Sequence, residues 1–304
     1  MTTRRRFLTT TASAAAATLV RPTLGFAADA SVQTRVIPSS NEALAVIGMG
    51  TSGSFEVGSD STARSALSEV LRRFVAGGGR LIDTAPTYGT AEDVLGDLLA
   101  ETGLRDRVFL ATKLSGVVGR KAGRAQFESS LKSLKTDKVE LLQVHNLGDW
   151  RIQLELAREL KAEGRVRYVG LTHYADRAHD ELAEAVAASK PDFLQINYSV
   201  TQRAAEKRVF PLARELGVAV LANRNFDDGA LFGRVADKAV PEWAIAAGIT
   251  SWAQLFLKFA LSHPAVTVVI PATGKPDRQI DNLKAGLGPD LDEKQRQALI
   301  AALG

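Results

Sequence analysis

The amino-acid sequence predicts an α/β fold, a (β/α)8 barrel of the TIM type, on three observations. From Leu44 onward, short apolar runs alternate with amphipathic stretches of helical length, the pattern of a parallel sheet with crossover helices. Eight such runs occur. Eight strand–helix units in about 270 residues match the size and period of such a barrel.

Strands are expected over residues 44–47, 80–84, 108–112, 139–144, 167–171, 193–197, 218–222 and 266–270. A small hairpin between Ser31 and Ala43 is expected to close the barrel bottom. Residues 61–76 carry Leu67, Val70, Leu71, Phe74 and Val75 on one helical stripe. Residues 91–100, 126–134, 152–163, 180–188, 204–216 and 252–261 read alike, with short helices at 243–247 and 292–302. Gly77, Gly103, Gly164 and Gly217 mark helix ends. The competing fold is a doubly wound open sheet, which usually carries a glycine-rich turn after its first strand. Gly48-Met49-Gly50-Thr51-Ser52-Gly53 matches that pattern, but no helical stripe follows at once, and these glycines are read as a tight strand-exit loop.

The ends of the 304-residue chain and its composition narrow the function classes. Hydrophobic residues make up 45%, ample for a core, and no apolar run reaches the roughly 18 residues of a membrane span. The chain has no cysteine, so disulfide and thiolate chemistry are excluded. Residues 1–30 read as a twin-arginine (Tat) signal peptide: Arg4-Arg5-Arg6-Phe7-Leu8, then an alanine-rich apolar stretch, then small residues around Ala27 to Ala30. The expectation is a periplasmic or otherwise exported protein that engages the Tat export machinery, with residues 31–304 as one domain. Removal of the leader takes away four arginines and one aspartate, so the net charge of +4 falls to +1. The basic balance therefore gives no argument for nucleic acid.

In such a barrel, chemistry sits at the C-terminal ends of the strands. Asp83 ends the second strand, and Tyr88 lies five residues on, in the loop that follows. Lys113 ends the third strand and His145 the fourth. Any one of these alone is explained by a cap, a solvated charge or a structural histidine, but three adjacent strands deliver ionisable groups to one rim. Carbonyl reduction needs a proton donor opposite a hydride donor. Tyrosine has a free pKa of about 10, which a neighbouring ammonium lowers. Lys113 is placed to do this, Asp83 to hold the lysine, and His145 to hydrogen-bond the substrate oxygen. No His/Asp/Glu cluster has metal-ligand spacing, so no metal is expected.

The segment Asp83-Thr84-Ala85-Pro86-Thr87-Tyr88-Gly89 resembles the Asp-x-Ala-x-x-Tyr-Gly motif of the aldo-keto reductase superfamily, and the likeness runs through nearly all of the chain after Ser31. It implies a catalytic tetrad at Asp83, Tyr88, Lys113 and His145. It implies NADP, rather than NAD, as cofactor. The nicotinamide side falls on Gly50, Thr51, Thr172, His173 and Gln195, where Thr172-His173 stands for the family's Ser-Asn. After the seventh strand the family often has a stacking aromatic; here Asn223 and Arg224 occupy the place. The adenosine phosphate side falls on Thr273, Lys275, Arg278, Asp281 and Asn282, with Ala272 where a lysine is frequent. Phe55, Trp150 and Phe226 are candidates for an apolar substrate wall. Three functions stay open: reduction of an aldehyde, ketone or sugar; alcohol or sugar dehydrogenation; and nucleotide binding without turnover, as in a redox sensor.

Overall fold

Period-two alternation along the strands sorts the side chains into an inner and an outer core. In the computed structural model, which describes residues 31–303, the strands β1 (Thr34–Val36) and β2 (Ala43–Ala45) form an antiparallel hairpin. The next eight form one parallel sheet: β3 (Met49–Gly50), β4 (Leu81–Asp83), β5 (Phe109–Leu114), β6 (Val139–His145), β7 (Val166–Thr172), β8 (Phe193–Asn197), β9 (Ala219–Asn223) and β10 (Val266–Val269). Sheet order follows chain order, and the two ends meet. At that seam Gly48 N–H donates to Val269 O at 2.8 Å, and Gly50 N–H to Pro271 O at 3.1 Å. The expected (β/α)8 barrel is thus formed.

The crossovers carry α1 (Ser61–Ala76), α2 (Ala91–Thr102), α3 (Arg120–Ser133), α4 (Trp150–Ala162), α5 (His179–Ser189) and α6 (Val209–Leu216). Between β9 and β10 come α7 (Ala230–Arg234), α8 (Glu242–Ala246) and α9 (Trp252–Leu261); α10 (Pro276–Lys284) and α11 (Glu293–Leu303) end the chain. Among the described residues no helix is long and apolar enough to cross a membrane. The export signal expected over residues 1–30 lies outside the described residues.

Ile82, Leu110, Leu142, Val169, Leu194, Val220 and Val269 face outward onto the helices. Their neighbours Leu81, Phe109, Leu141, Tyr168, Phe193, Ala219 and Val268 fill the barrel. Continuing the inward parity toward the strand ends reaches Asp83, Lys113, Gln143, His145, Thr172, Gln195 and Asn223 in turn. The fold thus builds a polar layer directly on an apolar one. The hairpin seals the other end: Ile37 and Leu44 belong to the inner core. The Tyr168 hydroxyl reaches Ser40 Oγ at 2.8 Å and Glu42 Oε2 at 2.6 Å, tying hairpin to barrel.

Three local expectations change. Only Leu44 and Ala45 of the run 44–47 lie in a strand, the hairpin's β2, where Leu44 pairs with Arg35; Ile47 makes a single bridge to Val269 in the barrel wall before β3 begins at Met49. Of the glycines expected in a strand-exit loop, Gly53 lies in the turn after β3, but Gly48 and Gly50 lie in and beside the barrel wall. A Cβ at Gly48 would come within 3.0 Å of Ile270 Cγ2 and 3.1 Å of Leu81 O, so close packing at the seam requires glycine. The helix expected over 204–216 is a 3-10 turn, Ala204–Glu206, followed by α6. Pro211 explains the break: its ring is tolerated in a first turn but not in the middle of a helix begun at 204.

Gly96, in the middle of α2, tests the helix packing. A Cβ there would lie 2.1 Å from the backbone oxygen of Ser133, whereas Gly233 in α7 has open space around it. Gly96→Ala should destabilise the protein by about 1–3 kcal/mol through overpacking. Gly233→Ala should leave it unchanged or stabilise it by up to about 1 kcal/mol. Paired urea titrations check both, and equal stability of the two variants would refute the packing assignment.

Candidate active site

The polar layer is organised around one buried ion pair. Lys113 Nζ donates to Asp83 Oδ2 at 2.6 Å and to Thr84 O at 2.8 Å, and both side chains are almost wholly enclosed. Asp83 Oδ1 accepts from Gln143 Nε2 and Gln195 Nε2, both at 2.9 Å. A carboxylate only accepts, so each amide must turn its NH2 toward Asp83. Burial, the largest single effect, lowers the Lys113 pKa, but Asp83 and Tyr88 together more than offset it and the net displacement is upward. Lys113 therefore stays charged. Such a pair is tolerated when further hydrogen bonds support it, as the Thr84 carbonyl and the Gln143 and Gln195 amides do here. Thr51 supports it from the neighbouring strand: its N–H and hydroxyl both donate to Asp83 O, at 3.0 and 3.1 Å. Gly50 pairs in register with Asp83 and comes so close to Ile270 that a Cβ would sit 3.0 Å from its carbonyl oxygen.

Tyr88 and His145 face this pair. The Lys113 ammonium lies 4.9 Å from the centroid of the Tyr88 ring. The Tyr88 and His145 rings meet edge to face, with centroids 5.9 Å apart. His145 Nδ1 lies 2.7 Å from Ser115 Oγ. Burial pushes the His145 pKa down to about 3, and the Lys113 charge and His173 add to the effect. The imidazole is thus neutral, a hydrogen-bonding group rather than a cation. The four tetrad residues expected from the sequence are brought together: a phenol, a charged lysine held by a carboxylate, and a neutral imidazole.

The nicotinamide-side candidates divide. Gln195 is buried with both ends engaged: Nε2 on Asp83, and Oε1 accepting from Asn223 Nδ2 at 3.1 Å and Thr172 Oγ1 at 3.4 Å. His173 Nδ1 accepts the Ala175 N–H at 3.1 Å, which leaves its Nε2–H as a donor. Burial lowers the His173 pKa, so it too favours the neutral form. Arg224 is turned into its own loop. Its Nε donates to Asp228 Oδ1 at 3.1 Å, and its guanidinium lies 5.2 Å from the Tyr174 ring. The Tyr174 ring in turn stacks on His173, with centroids 5.4 Å apart.

The phosphate-side candidates gather where the chain enters α10. Thr273 is buried, and Lys275 and Arg278 are exposed with no ion-pair partner among the described residues. One hydroxyl and two free cations at a helix start with Pro276 in its first turn fit a phosphate. Asp281 instead spends both oxygens on the start of α9, accepting from Ser251 Oγ at 2.5 Å and Gln254 Nε2 at 2.6 Å. Asn282 is buried. Of the expected apolar wall, Trp150 is half-buried at the start of α4, with the Arg151 guanidinium 4.4 Å from its ring. Phe226 packs with Phe232 and Phe256. Phe55 is fully buried in the outer core and presents no surface.

Gln143 and Ser115 were not singled out in the sequence, although the strand period carries the signal. Gln143 stands two residues before His145, and Ser115 two after Lys113, so both share the inward face. Among the described residues no group of three or more His, Asp or Glu could hold a metal.

The neutral His145 has a measurable consequence. Between its ordinary value of 6.5 and its folded value of about 3, the unfolded chain binds a proton there that the folded chain does not. Stability should therefore fall as pH drops through that window, with a slope approaching about 1.4 kcal/mol per pH unit for this site. Urea titrations at several pH values should show a shallower slope in His145→Gln; an unchanged slope would refute the assignment.

Comparison with known proteins agrees with this geometry. The model of the aldo/keto reductase family matches residues 46–303. Aldo-keto reductase YhdN of Bacillus subtilis (strain 168) is 31% identical over 188 residues, 56% of this chain and 55% of that protein. The match thus spans about half the length of that relative. The methylglyoxal reductase YeaE of Escherichia coli (strain K12) is 31% identical over 241 residues, 76% of this chain and 82% of its own. Among solved structures, an aldo/keto reductase from Klebsiella pneumoniae in complex with NADP and acetate superposes with a TM-score of 0.74 at 27% identity, covering 90% of this chain and 96% of that one. A Klebsiella pneumoniae aldo-keto reductase in complex with NADPH gives 0.75 at 26% identity, covering 90% and 95%. The chain belongs to the aldo/keto reductase family.

Proposed function

We propose that this protein is an NADP-dependent oxidoreductase that reduces an aldehyde or ketone, sugars included, to the alcohol, with Tyr88 as proton donor. The observation that carries the reading is the convergence of Tyr88 and His145 on the buried Lys113–Asp83 pair. The NADP and NADPH complexes of the Klebsiella pneumoniae structures support the cofactor, and the methylglyoxal reductase relative supports a small carbonyl substrate.

When bound, NADPH supplies hydride to the carbonyl carbon. As the C=O π electrons move onto oxygen, the Tyr88 hydroxyl gives its proton to that oxygen, and the alcohol forms. The phenolate left behind is stabilised by the Lys113 ammonium, which Asp83 keeps charged and fixed. His145, neutral, donates a hydrogen bond to the reacting oxygen and orients it. Thr273, Lys275 and Arg278 hold the adenosine phosphate, and the His173 Nε2–H is available to the nicotinamide carboxamide. Run backwards, the same groups oxidise an alcohol, with Tyr88 as base.

Tyr88→Phe tests this directly. NADPH oxidation followed by absorbance against a panel of aldehydes, ketones and sugars should slow by about 10²–10⁴-fold, while the NADPH Kd stays within about twofold. Unchanged turnover would remove Tyr88 from the mechanism.

Residues 1–30 add a second proposal, that the enzyme is exported to the periplasm by the Tat pathway and travels folded, with its nucleotide already bound. The full-length chain should accumulate in a periplasmic fraction with nucleotide attached. A double Arg4→Lys, Arg5→Lys variant should stay in the cytoplasm. Equal partition of the two chains would sink the export reading.

A further inference from the structure

Ser115 follows β5 immediately and is buried. The Gln126 side chain of α3 fixes its backbone on both sides: Ser115 N–H donates to Gln126 Oε1 at 2.7 Å, and Gln126 Nε2 donates to Ser115 O at 2.8 Å. Its hydroxyl is thereby held 2.7 Å from His145 Nδ1 and has no other partner among the described residues. His145 Nε2 has no protein partner among the described residues.

A neutral imidazole carries one proton, and two arrangements fit the short contact. If Nδ1 held the proton, it would donate to Ser115 Oγ, and the buried hydroxyl would have no acceptor for its own hydrogen. Leaving a buried donor unsatisfied costs about 1–3 kcal/mol. If the hydroxyl donates to Nδ1, both groups are paired and the ring proton sits on Nε2. The adjacent His173 shows the same outcome with a donor that cannot reverse, the Ala175 backbone N–H on its Nδ1.

We infer that Ser115 is a positioning residue: its hydroxyl donates to His145 Nδ1 and holds the ring in the Nε2–H tautomer, which aims a donor at the substrate's carbonyl oxygen. The inference rests on the role given to His145 above. It deepens that role, because in the opposite tautomer the ring would present a lone pair to the developing oxyanion, a repulsive contact. The Gln126 clamp makes the preference a property of the barrel wall, set before substrate arrives.

The chain has four histidines, so long-range ¹H–¹⁵N spectra of the full-length protein labelled with ¹⁵N-histidine resolve each ring, and a His145→Gln variant assigns the signal of interest. In the unmodified protein, with and without NADP, His145 should show the Nε2–H pattern. Ser115→Ala should shift it toward a mixture, and Ser115→Thr, which keeps the hydroxyl, should restore it. In carbonyl reduction, Ser115→Ala should lower kcat about 2–10-fold, the worth of one such hydrogen bond, with the NADPH Kd unchanged and Ser115→Thr recovering the rate. An Nδ1–H pattern in the unmodified protein, or an unaltered pattern in Ser115→Ala, would overturn the inference. Because the spectrum needs no turnover, an inactive protein with the expected tautomer would overturn the proposed function instead.

Discussion

The constraint on which the site depends is the enclosure of a full positive charge at the mouth of the barrel. Lys113 is buried, and only the Asp83 carboxylate and the Thr84 carbonyl make that tolerable. The remaining oxygen of Asp83 then needs its own donors, which recruits Gln143 and Gln195 from two further strands. The backbone of Asp83 is pinned in turn by Thr51. One desolvated ammonium therefore sets residue choice on β4, β5, β6 and β8 and at the exit of β3. Removing either ionic partner of such a pair costs about 3–5 kcal/mol, because the other is left buried and uncompensated.

The same charge divides the roles of the rim. It contributes to keeping His145 neutral, so a cation and a neutral donor stand side by side near one phenol. Lys113 and His145 sit on strands, where the ladder fixes their backbone. The loops that follow the strands complete the mouth. Arg224, Asp227 and Asp228 follow β9 in left-handed backbone, and Asn146, Leu147 and Asp149 do the same after β6. Left-handed backbone at bulky residues such as Leu147 and Arg224 costs energy and persists only where surrounding contacts enforce it. Asp149 supplies such contacts, accepting from Gly119 N–H at 2.8 Å and Gln153 Nε2 at 3.1 Å.

The barrel and the polar residues at its strand ends were legible in the sequence because both depend on short-range rules. Strand parity and strand ends are read directly from apolar runs, and Asp83, Lys113 and His145 each close one. What escaped depends on partners distant in sequence. Nothing local shows that Gln195 will be held by Asp83, 112 positions away. Nor does it show that Asp281 will join the start of α9 through Ser251 and Gln254 instead of remaining free. The division of 44–47 between hairpin and barrel likewise follows from Arg35 pairing with Leu44. The break before α6 was legible after all, in Pro211, and needed only the helix-interior rule applied to it.

The seam and the floor have a shared origin. Arg35, in the hairpin, donates to Leu261 O at 2.6 Å and to Asp290 at 2.8 Å, and the β3 segment is stitched to β10. The hairpin and the β3 segment thus find some of their partners more than 200 positions later in the sequence. A nascent chain can assemble the middle strands as they emerge, but it cannot complete the ring until β10 has been made. The late, long-range step is slow compared with local pairing, since its loop-closure entropy is met only at the end. Closure of the barrel consequently waits on β10, and a product truncated before that strand would expose an open sheet edge to quality control.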